Sequence, residues 1–269
     1  MKTSLPVDEV IKRYASGENA NQIGKFFGMS GEAVRVVVRR YGKMRSRPEW
    51  SRIYQVDHSC FDGANPDSMY YAGLIMADGN IAKNGKMVQI ELLERDIELL
   101  EGMKSFCGYE GPIQKRTRYA SNGSRKLMAL LRMTSPRMTE SLARFGVIAV
   151  KAKRASIPGF VLDSQFAKFF LRGLFDGDGC FGIRGGKCSN GKRFASLGAN
   201  PSVASVVKAW LSQNIGTTGG MCKRSKTFWV VHYGNSDATK VWNFLYSDLL
   251  GMRLARKANK YLPPPIPRG

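Results

Sequence analysis

Acids are scarce in this sequence. Its 269 residues carry 21 aspartates and glutamates against 42 lysines and arginines, a formal charge of +21 at pH 7. An excess of that size says nothing about fold, but it predicts a polyanionic partner, and nucleic acid is the usual one. Histidine is rarer still. His58 and His232 stand far apart with no partner at ligand spacing, so both are read as structural residues. The five cysteines (Cys60, Cys107, Cys180, Cys188 and Cys222) are odd in number, widely spaced and never arranged as CxxC. That pattern argues against a disulfide framework or a zinc finger and for free thiols in a reducing, cytoplasmic setting. No apolar run approaches the ~18 residues of a membrane-spanning helix. The opening MKTSLPVDEV has no apolar core of the signal-peptide kind, so a membrane is not expected as a partner. What the sequence does have is an ordinary share of hydrophobic (43%) and aromatic (10%) residues. Its length allows two or three domains with real cores.

Residues 1–47 read as a small all-α unit. Val10, Ile11 and Tyr14 recur at helical spacing after Pro6 and Asp8. Asn19 or Asn21 can cap a second helix in which Ile23, Phe26 and Phe27 share a face. Gly28 permits a left-handed stop, and Ser30 caps a third helix with Val34, Val37 and Val38 inward. Helix, short Gly-containing turn and helix make the helix-turn-helix arrangement. The third helix shows Arg35, Arg39 and Arg40 on its other face; Lys43, Arg45 and Arg47 follow, with no acid between Ala33 and Pro48. Those are the residues a recognition helix needs in a major groove, with a trailing arm to hold phosphates. The stretch IKRYASGENANQIGKFFGMSGEAVRVVVRRYG, Ile11 to Gly42, resembles helix-turn-helix segments of resolvases and regulators. Residues 48–66 read as a linker punctuated by Pro48, Gly63 and Pro66 that also carries apolar anchors, among them Trp50 and Phe61.

The remainder repeats itself. YYAGLIMADGNI (Tyr70–Ile81) and FFLRGLFDGDGCF (Phe169–Phe181) superpose with a constant offset, 178 − 78 = 100 residues: Gly73 on Gly173, Leu74 on Leu174, Asp78 on Asp178 and Gly79 on Gly179. A period of that length marks a duplicated domain, since solenoid units run about 20–50 residues. The elements that follow agree. MVQIEL alternates as a half-buried strand, RDIELLEGMKSF is a helix, a hairpin turns at Asn122-Gly123, and PRMTESLARFG closes the first half. In the second half a hairpin turns at Asn190-Gly191, followed by the helix SVASVVKAWLSQ, strands around MCKRSKTFWVVHY and the helix ATKVWNFLYSDL. The fold class is therefore α+β: two αββαββα halves, residues 67–160 and 161–269, the second ending in a proline-rich tail. Basic residues crowd the strands: Arg116 and Arg118 on one face of theirs, Arg125, Lys126 and Arg132 nearby, and Arg184, Lys187, Lys192, Arg193, Lys223, Arg224 and Lys226 in the second half. Two sheets covered by helices on one side only would offer basic faces as a concave cradle for a duplex.

Small residues sit four apart in each motif, Gly73 with Ala77 and Gly173 with Gly177, so two such helices can approach backbone to backbone. Asp78 and Asp178 then emerge together at helix C-termini, where the macrodipole is already negative and like charges repel. A divalent cation resolves both penalties, and oxygen-only ligation suits Mg²⁺. Carboxylates, metal and a basic cradle together describe metal-assisted phosphodiester hydrolysis.

The two motifs resemble the LAGLIDADG homing endonucleases in their single-chain form, over roughly Tyr70 to the C-terminus. The resemblance implies pseudo-symmetric halves forming a saddle, a site-specific double-strand cut in DNA leaving short 3′ overhangs, and a gene carried by a mobile element. It implies metal ligation by Asp78 and Asp178 with backbone oxygens of Ala77 and Gly177, with Mg²⁺ as the ion and Mn²⁺ as the alternative. It further implies basic or polar groups beside the site: Lys151 from VKAKRASIP, Arg256 or Lys257 from LARKANKYLP, Arg95 in the first half and Asn200 in the second. The DNA surface would include Arg35, Arg39, Arg40, Lys43, Arg45, Arg116, Arg118, Arg184, Lys192, Lys223 and Lys226. Met76 departs from the family's acid at the sixth motif position and Arg172 from its alanine at the second. Both halves lie in one chain, so a monomer suffices. The rivals are a DNA-binding regulator that no longer cuts and a maturase whose partner is intron RNA. An intein is not expected from the residues at the two ends.

Overall fold

The computed structural model describes residues 6–42, 44, 54–119, 122–149, 154–185, 191–248 and 251–261. The chain divides into two units, Met1–Gln55 and Val56–Gly269, each with a core of its own.

In the first unit α1 (Val7–Ala15), α2 (Ala20–Phe27) and α3 (Gly31–Tyr41) close on Val10, Tyr14, Ala20, Ile23, Val34 and Val38. Local chemistry sets the boundaries. Asn19 accepts from the amides of Asn21 and Gln22 while the Gln22 side chain takes the Asn19 amide, a capping box. Gly28 stops α2 at φ 66°, and Ser30 Oγ accepts from the Ala33 amide at 3.1 Å to start α3. Phe26 departs from the sequence reading. Ile23 and Phe27, four apart, turn toward the core, which leaves Phe26 64% exposed with the Arg13 guanidinium 3.7 Å above its ring.

The second unit opens with the first motif helix, α4 (Pro66–Asp78). Asn65 and Ser68 form its capping box, and every residue from Ser68 to Ala77 is buried. A helix apolar all round belongs inside a core. It runs directly into β1 (Gly79–Ile81), β2 (Met87–Leu93), a short 3₁₀ turn Glu94–Asp96, α5 (Glu98–Phe106), β3 (Gln114–Tyr119), β4 (Arg125–Thr134) and α6 (Pro136–Arg144). After α7 (Gly159–Asp163) the order recurs: second motif helix α8 (Ala167–Asp178), β5 (Gly179–Arg184), β6 (Lys192–Ala199), α9 (Pro201–Ile215), β7 (Gly220–Lys223), β8 (Trp229–Gly234) and α10 (Asn235–Tyr246), with α11 (Ala255–Ala258) at the end. Each half holds a four-stranded antiparallel sheet, ordered β1-β2-β4-β3 and β5-β6-β8-β7. The short first strand of the first half is counted in the expected αββαββα order but was not located in the sequence, because three residues carry no periodicity of their own.

Alternation assigns the faces. Val88, Ile90 and Leu92 of β2 and Ala129, Leu131 and Met133 of β4 are buried beneath α5 and α6. Phe181, Ala195, Leu197, Val231 and Tyr233 do the same under α9 and α10. The intervening residues form an open face on each sheet.

Candidate active site and nucleic-acid surface

The site is built on the crossing of α4 and α8. A Cβ at Gly73 would stand 2.0 Å from the Phe170 carbonyl oxygen, and one at Gly173 would stand 2.0 Å from that of Tyr70. The contact is reciprocal and backbone to backbone, so only glycine fits at either place. One turn on, a Gly177 Cβ would meet Ala77 Cβ at 2.3 Å and Asp78 Oδ2 at 3.0 Å. The Asp78 carboxylate therefore lies against the last turn of the opposite helix, one residue before Asp178. Both aspartates are exposed while the turns carrying them are buried. Gly79 and Gly179 follow the two helices without a left-handed turn. Both are extended (φ −79° and −82°). Glycine is needed there because the chain doubles back on the helix end, where a Cβ would stand 2.8 Å from Ile75 O or 2.4 Å from Phe175 O.

The basic residues are distributed differently from the sequence expectation. Lys257 is buried, and its ammonium donates to the carbonyls of Phe175 (2.8 Å), Asp176 (2.6 Å), Gly177 (3.1 Å) and Gly179 (2.6 Å). It caps the C-terminus of α8, satisfying acceptors that the helix leaves open. Burial lowers the Lys257 pKa below the ordinary lysine value; Arg256 pushes the same way, and Asp176 and Asp78 oppose it. Gly177 O, read from the family resemblance as a metal ligand, is thus also an acceptor for Lys257. Arg256 forms a forked pair with Asp96, Nε to Oδ1 at 3.0 Å and Nη2 to Oδ2 at 3.0 Å, joining residues from the two halves. Asp96 is the main cause holding the guanidinium charged against burial, and Asp176 and Asp78 add to it. Arg95 is largely exposed, 4.0 Å from its neighbour Asp96. Asn200 caps α9 by accepting from the Val203 amide and donates to the Ala155 carbonyl at 2.8 Å. With Asp178, Met76 and Phe228 it lines a cavity of about 160 Å³. Lys43, Arg45, Lys151 and Lys187 lie outside the described residues.

Sequence reasoning missed a buried network behind the site. Asp176, the acid at the position where the first motif has Met76, accepts from Tyr246 Oη (2.6 Å), the Leu254 amide (2.8 Å) and Tyr70 Oη (2.9 Å). Tyr70 belongs to the first motif helix, so this network also joins the halves. Arg172, at the other departure from the family pattern, is wholly buried; it donates to Leu245 O and to Asp248 Oδ1, both at 2.6 Å. An acid inside an apolar helix at 176 and an arginine in place of alanine at 172 were the available signals. Their partners lie 70 or more residues away and could not be read.

Among the described residues no three His, Cys, Asp or Glu side chains gather as a ready-made metal cluster. The donors at the paired helix ends are oxygens only, two carboxylates and neighbouring carbonyls. That set fits a hard divalent cation sharing ligands with water and a phosphate.

On the first sheet the open face carries Arg116, Arg118, Lys126 and Arg132, with Arg116 and Arg118 both bonded to Glu91. On the second it carries Arg184 and Lys192, directly opposite each other, together with Phe194 and His232. Lys223 shares the parity of Met221, which pairs with buried Val231, so the register assigns it to the helix-covered side rather than the open one. In the N-terminal unit Arg39 and Arg40 are exposed on α3, and Glu32 takes Arg35 at 2.7 Å and Arg39 at 3.5 Å.

No protein-family model matches the chain, and no curated protein matches it in sequence. Solved structures do match in shape. The homing endonuclease I-WcaI bound to its DNA recognition sequence aligns with TM-score 0.51 at 12% identity, over 70% of this chain and 85% of that one. I-SmaMI bound to an uncleaved DNA target in the presence of calcium ions aligns with TM-score 0.46 at 14% identity, over 72% and 87%. The LAGLIDADG meganuclease I-AabMI bound to uncleaved DNA gives 0.43 at 15%, over 73% and 87%. The paired glycine-crossed helices, the two four-stranded sheets and the alignment with I-WcaI lead to one conclusion: residues beyond the N-terminal unit have the fold of a single-chain LAGLIDADG homing endonuclease.

Proposed function

We propose that this protein is a site-specific DNA endonuclease that cuts both strands of a duplex held against its two open sheet faces. The observation that carries the reading is the placement of Asp78 and Asp178. Two acids at matched motif positions stand exposed at adjoining helix ends, in a chain with a net charge of +21. Buried acids at an interface would be structural; exposed ones paired at helix ends, where dipole and like charge both raise the local negative potential, are placed to bind a divalent cation. Asp78 and Asp178, with the Ala77 and Gly177 carbonyls, are the groups that would hold Mg²⁺ or Mn²⁺. Such an ion, when bound, polarises phosphate oxygens and makes water a stronger nucleophile.

The chain's own residues supply the rest. Lys257 fixes the helix turn that presents Asp178, and Asp96 fixes Arg256 near Asp78, where its positive charge can meet a phosphate. Asn200 lines a cavity with Asp178, and Arg95, its counterpart in the first half by the sequence reading, and Lys151 are further candidates beside the reacting groups. Arg116, Arg118, Arg184, Lys192 and Lys226 would hold the duplex. Arg35, Arg39, Arg40, Lys43 and Arg45 would let the N-terminal unit act as a helix-turn-helix that extends the target or adds affinity.

The test is cleavage of a plasmid pool carrying random inserts, with Mg²⁺ and with chelator, followed by sequencing of the ends. Discrete ends that need metal and vanish in Asp78→Asn and Asp178→Asn are expected. Either variant cutting as well as the parent would overturn the assignment. Tight binding without cutting would make the protein a regulator on this fold.

A further inference from the structure

The two open faces are not copies of each other, and the strand register locates the difference. Gly79 pairs with Ile90 as Gly179 pairs with Leu197, so Glu91 and Gly198, each one residue further on, are equivalent places. Glu91 faces Leu130 and Gly198 faces Val230; beyond these, Leu130 pairs with Gln114 and Val230 with Cys222. Counting two and four residues on reaches Arg116 and Arg118 inside the paired strand β3, whereas the same count in the second half reaches Arg224 and Lys226, in the turn beyond the end of β7 at Lys223. Both halves are basic here, but only the first carries the two arginines on a paired strand with an acid within their reach.

In the first sheet both arginines reach from the edge strand β3 across β4 to the one carboxylate. Arg116 Nε donates to Glu91 Oε1, and Arg118 donates through Nη2 to Oε2 at 2.6 Å and through Nε to Oε1 at 3.0 Å. Leu130, on the open face beneath them, is only 2% exposed. In the second sheet Gly198 offers no side chain, and Phe228 lies over it; a Cβ there would meet the ring at 2.5 Å. Burial pushes the Glu91 carboxyl up, but the two guanidiniums outweigh it and hold it below the ordinary range.

A surface ion pair adds little stability. What it does here is remove the freedom of two long side chains before any ligand arrives. Each guanidinium has more N–H donors than one carboxylate takes up. The Arg116 and Arg118 side chains stay 39% and 56% exposed. A held guanidinium with free N–H groups on a groove-facing sheet matches the O6 and N7 acceptors of guanine, whereas an unheld one serves as well on a phosphate.

Resting on the endonuclease reading above, we propose that Glu91 is a positioning residue that presents Arg116 and Arg118 as a guanine-reading pair on the first sheet only. At the equivalent place the second sheet offers the apolar Phe228. The two halves of the target are therefore read by different chemistry, and the site is asymmetric in base composition.

The experiment is selection of bound duplexes from a random pool by the full chain in an Asp178→Asn background, so that bound DNA stays intact. Expected is a site with guanine fixed at neighbouring positions in one half and not at the mirror positions of the other. Arg116→Ala and Arg118→Ala should each lower the guanine preference there about tenfold or more, leaving the other half unchanged. Glu91→Gln keeps the shape and removes the charge that holds the pair. It should relax the guanine preference while making binding more salt-dependent, since a negative charge is lost. A Glu91→Gln protein that binds every duplex more tightly with its base preference intact would overturn the inference. So would alanine variants that weaken all sequences alike, the mark of phosphate contacts. If the parent recovers no duplex at all, the endonuclease reading falls with it; a recovered site indifferent to these three residues sinks only the guanine pair.

Discussion

At the residue scale, the same side-chain types serve opposite ends according to what surrounds them. Lys257 and Arg256 are neighbours, yet one is buried in carbonyls and the other is forked onto a carboxylate from the opposite half. The ammonium is compact enough to collect carbonyls that converge from one helix end, and the planar guanidinium matches the two oxygens of Asp96. Lys257→Met should therefore cost the second unit about 1.5–3 kcal/mol in denaturant unfolding, the usual loss for hydrogen bonds to a charged group. A variant as stable as the parent would remove the capping role. Asp176 allows a pH argument. Burial raises its carboxyl pKa above the ordinary value, against hydrogen bonds from Tyr246, Leu254 and Tyr70 and the charge of Lys257. The folded state then holds the proton more tightly than the unfolded chain. The stability this gives is full below the ordinary carboxylate pKa and is lost as pH rises through the raised one. Measured against Asp176→Asn, the parent should lose unfolding free energy as pH climbs from about 4 toward the raised value. Parallel curves for the two proteins would contradict the assignment.

At the element scale, the helix pair is the controlling contact. Gly73 and Gly173 each face a carbonyl of the opposite helix, and no rotamer change can relieve a clash with backbone. Gly173→Ala should destabilise the second unit by about 1–3 kcal/mol or more, seen as a lower unfolding midpoint, while the N-terminal unit, with its separate core, should melt unchanged. Little change in the second unit would mean the helices can part without loss. This contact was legible in the sequence because small residues four apart repeat at a fixed offset. The alternating strands and the caps at Asn19, Ser30 and Gly28 were legible for the same reason, each being a local pattern with a local cause. Phe26 was not, since the spacing admits it to the helix face and only packing decides that Ile23 and Phe27 fill the available core. The Glu91 clamp, the Asp96–Arg256 pair and the Asp176 network were not legible either. Each depends on strand register or on residues that the chain brings together from far apart.

At the scale of the whole molecule, charge and duplication act together. A chain with 42 basic residues, many on two open sheet faces, should bind duplex DNA with a steep dependence on salt. With about 6–10 phosphate contacts, affinity should fall by roughly a thousandfold or more between about 50 and 200 mM salt, measured by titration at several ionic strengths. A flat response would contradict a basic binding surface.

The glycine crossing also bears on how the protein is made. The first motif helix has almost no exposed surface in the finished fold, yet the helix that covers it lies 100 residues later in the chain (173 − 73). Until α8 leaves the ribosome, α4 must present its apolar and glycine-bearing face to water or to whatever else can cover it. Contacts this distant in sequence form slowly, and exposed apolar surface in the interval invites aggregation. Yield in the cell should therefore respond to chaperone supply and to the pace of translation through the second half more than to the stability of the completed fold.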